Sequence, residues 1–470
     1  MPGYHVEHFG CRAARADGEA LDARLRAAGL AESSPRVADL VVVNTCSVTA
    51  DADRAARAFI RRAHRENPQA KIVVTGCYAQ RAPEELAGMA GVAAVVGNSH
   101  KALAPEIIFG LTHAERESAS LSHSLVPIES LLNRSGIGTA QVWADDQFAH
   151  SFLEETSLGE TQLAPGAQTR PNLKIQEGCG NRCTFCVIPW TRGPSKSLSR
   201  AAVMRKVEGF AAAGGKELVL SGINLGRWGR DFSGSDRSTL AELVHAILEQ
   251  TPLPRLRLSS IEPMDWDGEL IALMREFGGT RLARHAHLPL QSGSDAVLRR
   301  MHRRYRPWHY AEKVAALLRA AGADLTLGAD VMIGFPGETE REFEQTLAFI
   351  RALPFGYLHL FPFSPRPGTG AWALNSASPV TQAAVAERMA ALRALAAEKS
   401  RAHRSSFVGR ELAVISLHTP AALAGRNRTA ALSENFLPLE LDGVLPANRL
   451  LRALVTGLTA EGALEGRPRP

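Results

Sequence analysis

The chain has 470 residues, too many for one ordinary core, so roughly two to four domains are expected. Its 45% hydrophobic and 22% charged residues are those of a folded soluble protein and exclude a disordered or fibrous one. The net charge of +6 favours an acidic partner such as nucleic acid, and no apolar run approaches the ~18 residues that cross a membrane.

The first residues lack the charged-then-apolar pattern of a signal peptide. Six cysteines in so long a chain fit reduced, metal-binding thiols in the cytoplasm better than a disulfide scaffold.

Residues 1–106 alternate strand and helix patterns. Residues 4–9, 39–44 and 71–75 read as short strands, and 21–28 and 54–65 as helices. Valine-rich strands alternating with helices argue for a parallel α/β sheet. Cys11, Cys46 and Cys77 each follow one of these strands. In a parallel sheet those ends point the same way, toward the ligand crevice, so the three thiols are expected to converge. Three unrelated core cysteines would be the plainer explanation. Their neighbours Gly10, Asn44, Thr45 and Gly76 are small or polar and favour a loop site. Arg54, Arg57, Arg61 and Arg65 share one helical face. Either a solvated face or a stripe that contacts RNA phosphates fits them.

Residues 107–168 lose all period and read as a linker.

Residues 169–402 alternate again. Strands are expected at 172–176, 217–221, 255–260, 284–288, 325–333 and 357–362, and helices at 200–213, 239–249, 269–277, 308–321 and 340–353. Six such units suggest a partial (β/α)6 barrel, with its site at the C-terminal strand ends. Cys179, Cys183 and Cys186 follow the first strand with Cys-x3-Cys-x2-Cys spacing. Three thiolates this close can hold three corners of an iron–sulfur cube. No further Cys or His lies in the loop, so one iron would stay open to a ligand that is not protein. A zinc site would want a fourth protein ligand. The spacing resembles the signature of the radical-SAM superfamily, in which that open iron binds S-adenosylmethionine. Phe185 stands where the superfamily usually has an aromatic against adenine.

Other strand ends offer Gly222 and Asn224, Glu262, Gln291 and Ser292, and Gly334 as cofactor contacts. Ordinary tight βα turns use the same residue types. The basic run 299–306, with Arg303 and Arg304, fits a solvated helix end and RNA contact equally.

Residues 403–470 read as short strands at 411–417, 429–432, 436–441 and 451–457, a small basic β-barrel with Arg426 and Arg428 at one end. RNA binding and a structural cap are both open to it.

Over nearly its whole length the chain resembles the radical-SAM methylthiotransferases. That family has an N-terminal three-cysteine domain, a radical-SAM domain and a C-terminal TRAM domain. Ser-Glu-Asn-Phe at 433–436 resembles the TRAM core motif. Among the family's branches, those acting on tRNA modify an isopentenyl or a threonylcarbamoyl adenosine beside the anticodon. Asn-Thr-Cys-Ser-Val-Thr at 44–49, Leu-Ser-Ser-Ile-Glu-Pro-Met-Asp at 258–265 and Phe-Pro-Phe-Ser-Pro-Arg-Pro-Gly-Thr at 361–369 resemble the threonylcarbamoyl branch.

The resemblance implies two [4Fe–4S] clusters, one on Cys11, Cys46 and Cys77 and one on Cys179, Cys183 and Cys186. It implies two S-adenosylmethionines per turnover, one to generate the hydrogen-abstracting radical and one to methylate sulfur. It also implies tRNA as partner through its anticodon stem-loop, a flavodoxin or ferredoxin as electron donor, and a sulfur donor. The family usually has Asn three residues after its first cysteine; here Ala14 stands there. The isopentenyl branch, or a non-catalytic iron–sulfur protein that binds RNA, would be the alternatives.

Overall fold

The computed structural model describes residues 2–113, 140–146, 169–234 and 237–469. They form two compact units. One holds Met1–Thr156 with Glu177–Arg182 and Cys186–Lys196; the other holds Ser157–Gln176, Cys183–Phe185 and Ser197–Pro470.

The first unit is built on an all-parallel sheet of order β2-β1-β3-β4-β5-β6. Its strands are β1 (Gly3–His8), β2 (Ala31–Glu32), β3 (Leu40–Thr45), β4 (Lys71–Gly76), β5 (Val92–Gly97) and β6 (Gln141–Trp143). Every residue of β3 is buried, because both faces of the sheet are covered. Val41 and Val43 pack with Phe59 and Ile60 of helix Ala50–Glu66. Val42 packs the other way, with Leu21, Leu25 and Ile108. Strands β5 and β6 are not anticipated by the sequence pattern. Helix Ala104–His113 runs into the stretch 107–168 read as a linker, and strand β6 falls inside it; 114–139 and 147–168 lie outside the described residues.

In the second unit, β7 (Asn172–Glu177), β9 (Glu217–Gly222) and β10 (Arg255–Leu258) run parallel, with the short β8 (Lys196–Ser197) at the edge. A second parallel sheet holds β11 (His285–His287), β12 (Thr326–Ile333) and β13 (Phe355–Pro362). The Leu256–Leu282 bridge and the hydrogen bond from Ile261 N to His287 O (3.1 Å) join the two sheets. The six strands β7, β9, β10, β11, β12 and β13 therefore curve in chain order into a partial (β/α)6 barrel. Helix Gln382–Ser405, absent from the sequence reading, packs on β13.

The C-terminal segment closes into a five-stranded barrel of order β14-β15-β16-β18-β17: β14 (Glu411–Ser416), β15 (Arg428–Ser433), β16 (Pro438–Asp442), β17 (Leu450–Leu458) and β18 (Leu464–Arg469). The turn at 433–436 is a dock onto the larger barrel. Glu434 accepts from Arg284 Nε (2.8 Å), Asn435 Nδ2 donates to Asp324 O (2.9 Å) and Arg257 Nη2 donates to Ser433 O (3.2 Å). Phe436, held at φ 70°, sets its ring 4.4 Å from His285 and 5.5 Å from Tyr357.

Candidate active site

The first thiol triplet follows from strand register. His8 pairs with Asn44 and Thr45 with Gly76, so the chain leaves three neighbouring strands at one edge, and Cys11, Cys46 and Cys77 lie in the next residues. Gly10 (φ 114°) passes so close to Cys46 that a β-carbon there would overlap its side chain. Cys46 and Cys77 are buried and Cys11 is exposed. Burial, then the charges of Cys77 and Cys11, push the Cys46 thiol up to about 12. The shift reflects three cysteines brought close together, with Arg192 the cation beside them. Asn98 Nδ2 (3.5 Å) and Arg192 Nε (3.1 Å) donate to Cys77 Sγ. Ala14 is buried, and its backbone carbonyl accepts from Asn44 Nδ2 (2.5 Å).

Sequence reasoning missed the buried ionic group beneath this triplet. Arg192 meets Glu177 (2.7 Å) and Asp17 (3.0 Å), and Lys101 meets Glu177 and Asp17 (3.6 Å). Two cations and two carboxylates satisfy one another where an unpaired charge would be costly. They come from four separate elements, and no local spacing marks them.

Cys179, Cys183 and Cys186 lie half-buried in the loop after β7. Gly178 (φ 68°) starts that loop where a side chain would strike the Gly193 and Pro194 carbonyls, and Cys179 N donates to Gly193 O (3.1 Å). Thr184 is pinned by Met301 O (3.2 Å) and Arg300 O (2.9 Å). Arg303 Nη1 donates to Cys183 Sγ (3.2 Å), while its Nη2 reaches both oxygens of Glu262 (2.6 and 2.5 Å). The donor set, three thiols with no fourth Cys or His in the loop, fits a cube with one open iron.

Residues 3–97 match the family described as Uncharacterized protein family UPF0004, and 173–350 match the Radical SAM superfamily. The threonylcarbamoyladenosine tRNA methylthiotransferase MtaB of Bacillus subtilis is 33% identical, over 93% of this chain and 89% of that protein. Its namesake in Aquifex aeolicus is 33% identical, over 96% and 99%. The chain belongs to the radical-SAM methylthiotransferase family. The tRNA-2-methylthio-N(6)-dimethylallyladenosine synthase of Lawsonia intracellularis is also 33% identical, over 88% and 86%. Among solved structures, the radical S-adenosylmethionine methyltransferase TsrM of Kitasatospora setae shares the fold, with a TM-score of 0.55 at 16% identity over 79% of this chain and 77% of that one. A radical-SAM methylthiotransferase uses S-adenosylmethionine and a [4Fe–4S] cluster, and the loop of Cys179, Cys183 and Cys186 has the thiols to hold one.

The remaining candidates of this methylthiotransferase divide. Phe185 packs against the barrel core. Gly222 lies against Gln176, whose Oε1 accepts from Asn224 N (2.7 Å). Gln291 is buried at φ 63°, with its backbone bonded to β12. Ser292 turns to Thr346 (3.0 Å), and Gly334 N donates to Glu338 (3.0 Å); both hold turns together. Glu262 accepts from Arg303 Nη2 through both its oxygens (2.6 and 2.5 Å). Arg303 is 6% exposed and lies beside Cys183. Of the other arginines, Arg54 pairs with Asp51, Arg57 with Glu85 (3.0 Å), Arg304 with Asp265 (3.6 Å), Arg426 with Glu440 (3.8 Å) and Arg428 with Asp442 (2.6 Å). Arg61 is exposed. No helix among the described residues is long and apolar enough to cross a membrane.

Proposed function

We propose that this methylthiotransferase places a methylthio group on carbon 2 of threonylcarbamoyladenosine at position 37 of tRNA, in the cytoplasm, binding the anticodon stem-loop. The observation that carries the reading is the pair of thiol triplets, Cys11, Cys46 and Cys77 and Cys179, Cys183 and Cys186, each with a buried arginine on one sulfur. The relatives' names and the motifs of the threonylcarbamoyl branch support the substrate. We take each triplet to hold one [4Fe–4S] cluster. When bound, these groups and S-adenosylmethionine supply radical hydrogen removal from an unactivated C–H bond and the methylated sulfur, chemistry that no side-chain acid or base provides.

The chain's own residues bind and tune. Arg192 and Arg303 place positive charge on Cys77 and Cys183, and Glu262, Glu177 and Asp17 hold those arginines in place. Cys46 and Cys77 are buried, so the first site opens to water only on its Cys11 side. A flavodoxin or ferredoxin would deliver electrons, and a separate donor the sulfur.

The relative named for dimethylallyladenosine sets the second reading. Mass spectrometry of tRNA nucleosides from a strain lacking the gene separates the two. The 2-methylthio-threonylcarbamoyl nucleoside should vanish and return on complementation. Loss of the dimethylallyl product instead would replace this reading by the second.

A further inference from the structure

Strands β11, β12 and β13 line the inside of the partial barrel with polar groups. Register places His287 beside Gly328, Gly328 beside Tyr357 and Asp330 beside His359 on one face. The alternate residues Leu327, Ala329, Val331 and Ile333 fill the core on the other. Barrels of this kind usually fill their interior with branched apolar side chains. A polar row there needs a reason.

The row is one connected chain. His285 Nε2 lies 2.7 Å from the Tyr357 hydroxyl, which lies 3.0 Å from His287 Nδ1. His287 Nε2 lies 3.1 Å from Asp330 Oδ2, and His359 Nδ1 lies 3.3 Å from Asp330 Oδ1. A carboxylate only accepts, so both imidazole nitrogens facing Asp330 carry hydrogen. Burial alone would raise the Asp330 pKa, but the hydrogen bonds from His287 and His359 outweigh it and hold the carboxyl far below its usual range. Tyr357 can lie across the barrel only because residue 328 is glycine; a β-carbon there would overlap its ring. One member is open to solvent. The His359 side chain is 59% exposed, and no described residue meets its Nε2. Asp330 sits three residues before the end of β12, ~10 Å below the rim where the cysteine loop emerges.

We propose that His359, oriented by Asp330, is the specificity-determining residue that reads the carboxylate of the threonylcarbamoyl group. The inference rests on the substrate reading above. In the proposed pose the adenine sits at the rim with its N6 substituent directed down into the barrel. To read the carboxylate His359 donates from both nitrogens, Nδ1 to Asp330 and Nε2 to the ligand. A dimethylallyl group offers it nothing and, in covering Nε2, would strip it of water without replacing the hydrogen bond, which is how sites built for hydrogen bonding reject apolar analogues. His287 and Tyr357 are positioning residues. The ligand atoms of His287, Asp330 and His359 all lie within 4.8 Å of one another, close enough for a divalent cation. Direct hydrogen bonds already satisfy the carboxylate, which favours the ligand-reading role.

The test uses reconstituted full-length enzyme and synthetic anticodon stem-loops carrying threonylcarbamoyladenosine, its methyl ester, or dimethylallyladenosine. Wild type should prefer the acid over the ester by about 10- to 100-fold in kcat/KM, the worth of a charge-assisted hydrogen bond. H359F should lose that factor on the acid, mostly through KM, and no longer distinguish acid from ester. H359Q should recover part of it. Melting temperature and iron content of both variants should match wild type.

An acid-to-ester ratio that survives H359F overturns this inference and leaves the substrate reading standing. So does wild-type indifference to the ester, which needs no variant. Stoichiometric zinc or manganese in wild type that disappears in H359F would show a metal site instead. Wild-type activity on the dimethylallyl stem-loop alone overturns both readings together.

Discussion

At the residue scale, Arg192 and Arg303 hold matching posts. Each is buried, each donates to one cysteine sulfur, at 3.1 and 3.2 Å, and each is fixed by carboxylates. A guanidinium stays charged at any working pH, so it favours the more negative state of whatever its sulfur ligates. Replacing Arg303 by Gln should therefore move the reduction potential of the cluster on Cys179, Cys183 and Cys186 to a more negative value. EPR-monitored redox titration reads this; an unchanged potential would deny Arg303 that role. Gly76 is a second point where one residue sets the geometry. At φ 97°, with its missing β-carbon against the Thr45 carbonyl, it aims Cys77 at its partners. Gly76→Ala should cost about 1–3 kcal/mol of stability through strain alone. Urea denaturation would show it, and a variant as stable as wild type would mean the turn is relaxed.

At the scale of elements, Glu217 on β9 is the buried anion that holds Arg255 (3.3 Å), Arg257 (2.8 Å) and Arg170 (3.2 Å) at the base of the barrel. Burial works to raise its pKa, yet the arginines bring it down to about 2 from an ordinary 4.5. A depressed carboxylate stabilises the fold above its unfolded pKa and loses that contribution as pH falls through the folded one. Wild type should thus lose this stability between about pH 4.5 and 2. Glu217→Gln should be destabilised at neutral pH by about 3–5 kcal/mol, the cost of stranding buried charge, with a flatter acid limb. Thermal melts across that range check the sign. The legibility of the elements follows the same physics. The valine-rich β3 and β4 and the cysteines after them stand out because alternation and turn residues are local signals. Strand β6 has three residues, far along the chain from the sheet it joins. Strand β18 hides behind glycine and proline in Leu-Glu-Gly-Arg-Pro-Arg. Helix Gln382–Ser405 buries only Arg388, Met389, Leu392 and Leu395 of its 24 residues, too few for an apolar stripe to show. The Arg192–Glu177–Lys101–Asp17 group and the His287–Asp330–His359 row exist only once distant segments meet, so no window of sequence contains them.

For the whole molecule, the C-terminal barrel is tied to the larger one by the 433–436 turn, with half-buried Phe436 against His285 and Tyr357. Phe436→Ala should cost on the order of 2 kcal/mol, less than a fully buried Phe loses. It should also separate the melting of the small barrel into its own calorimetric transition; a single unshifted transition would mean the polar ties alone suffice. The central claim concerns the two thiol triplets, and iron content tests it most directly. Anaerobically reconstituted protein should hold about eight irons, and Cys183→Ala or Cys46→Ala should each leave about four. Four irons in the wild type, with either triplet replaceable at no loss, would contradict the two-cluster account.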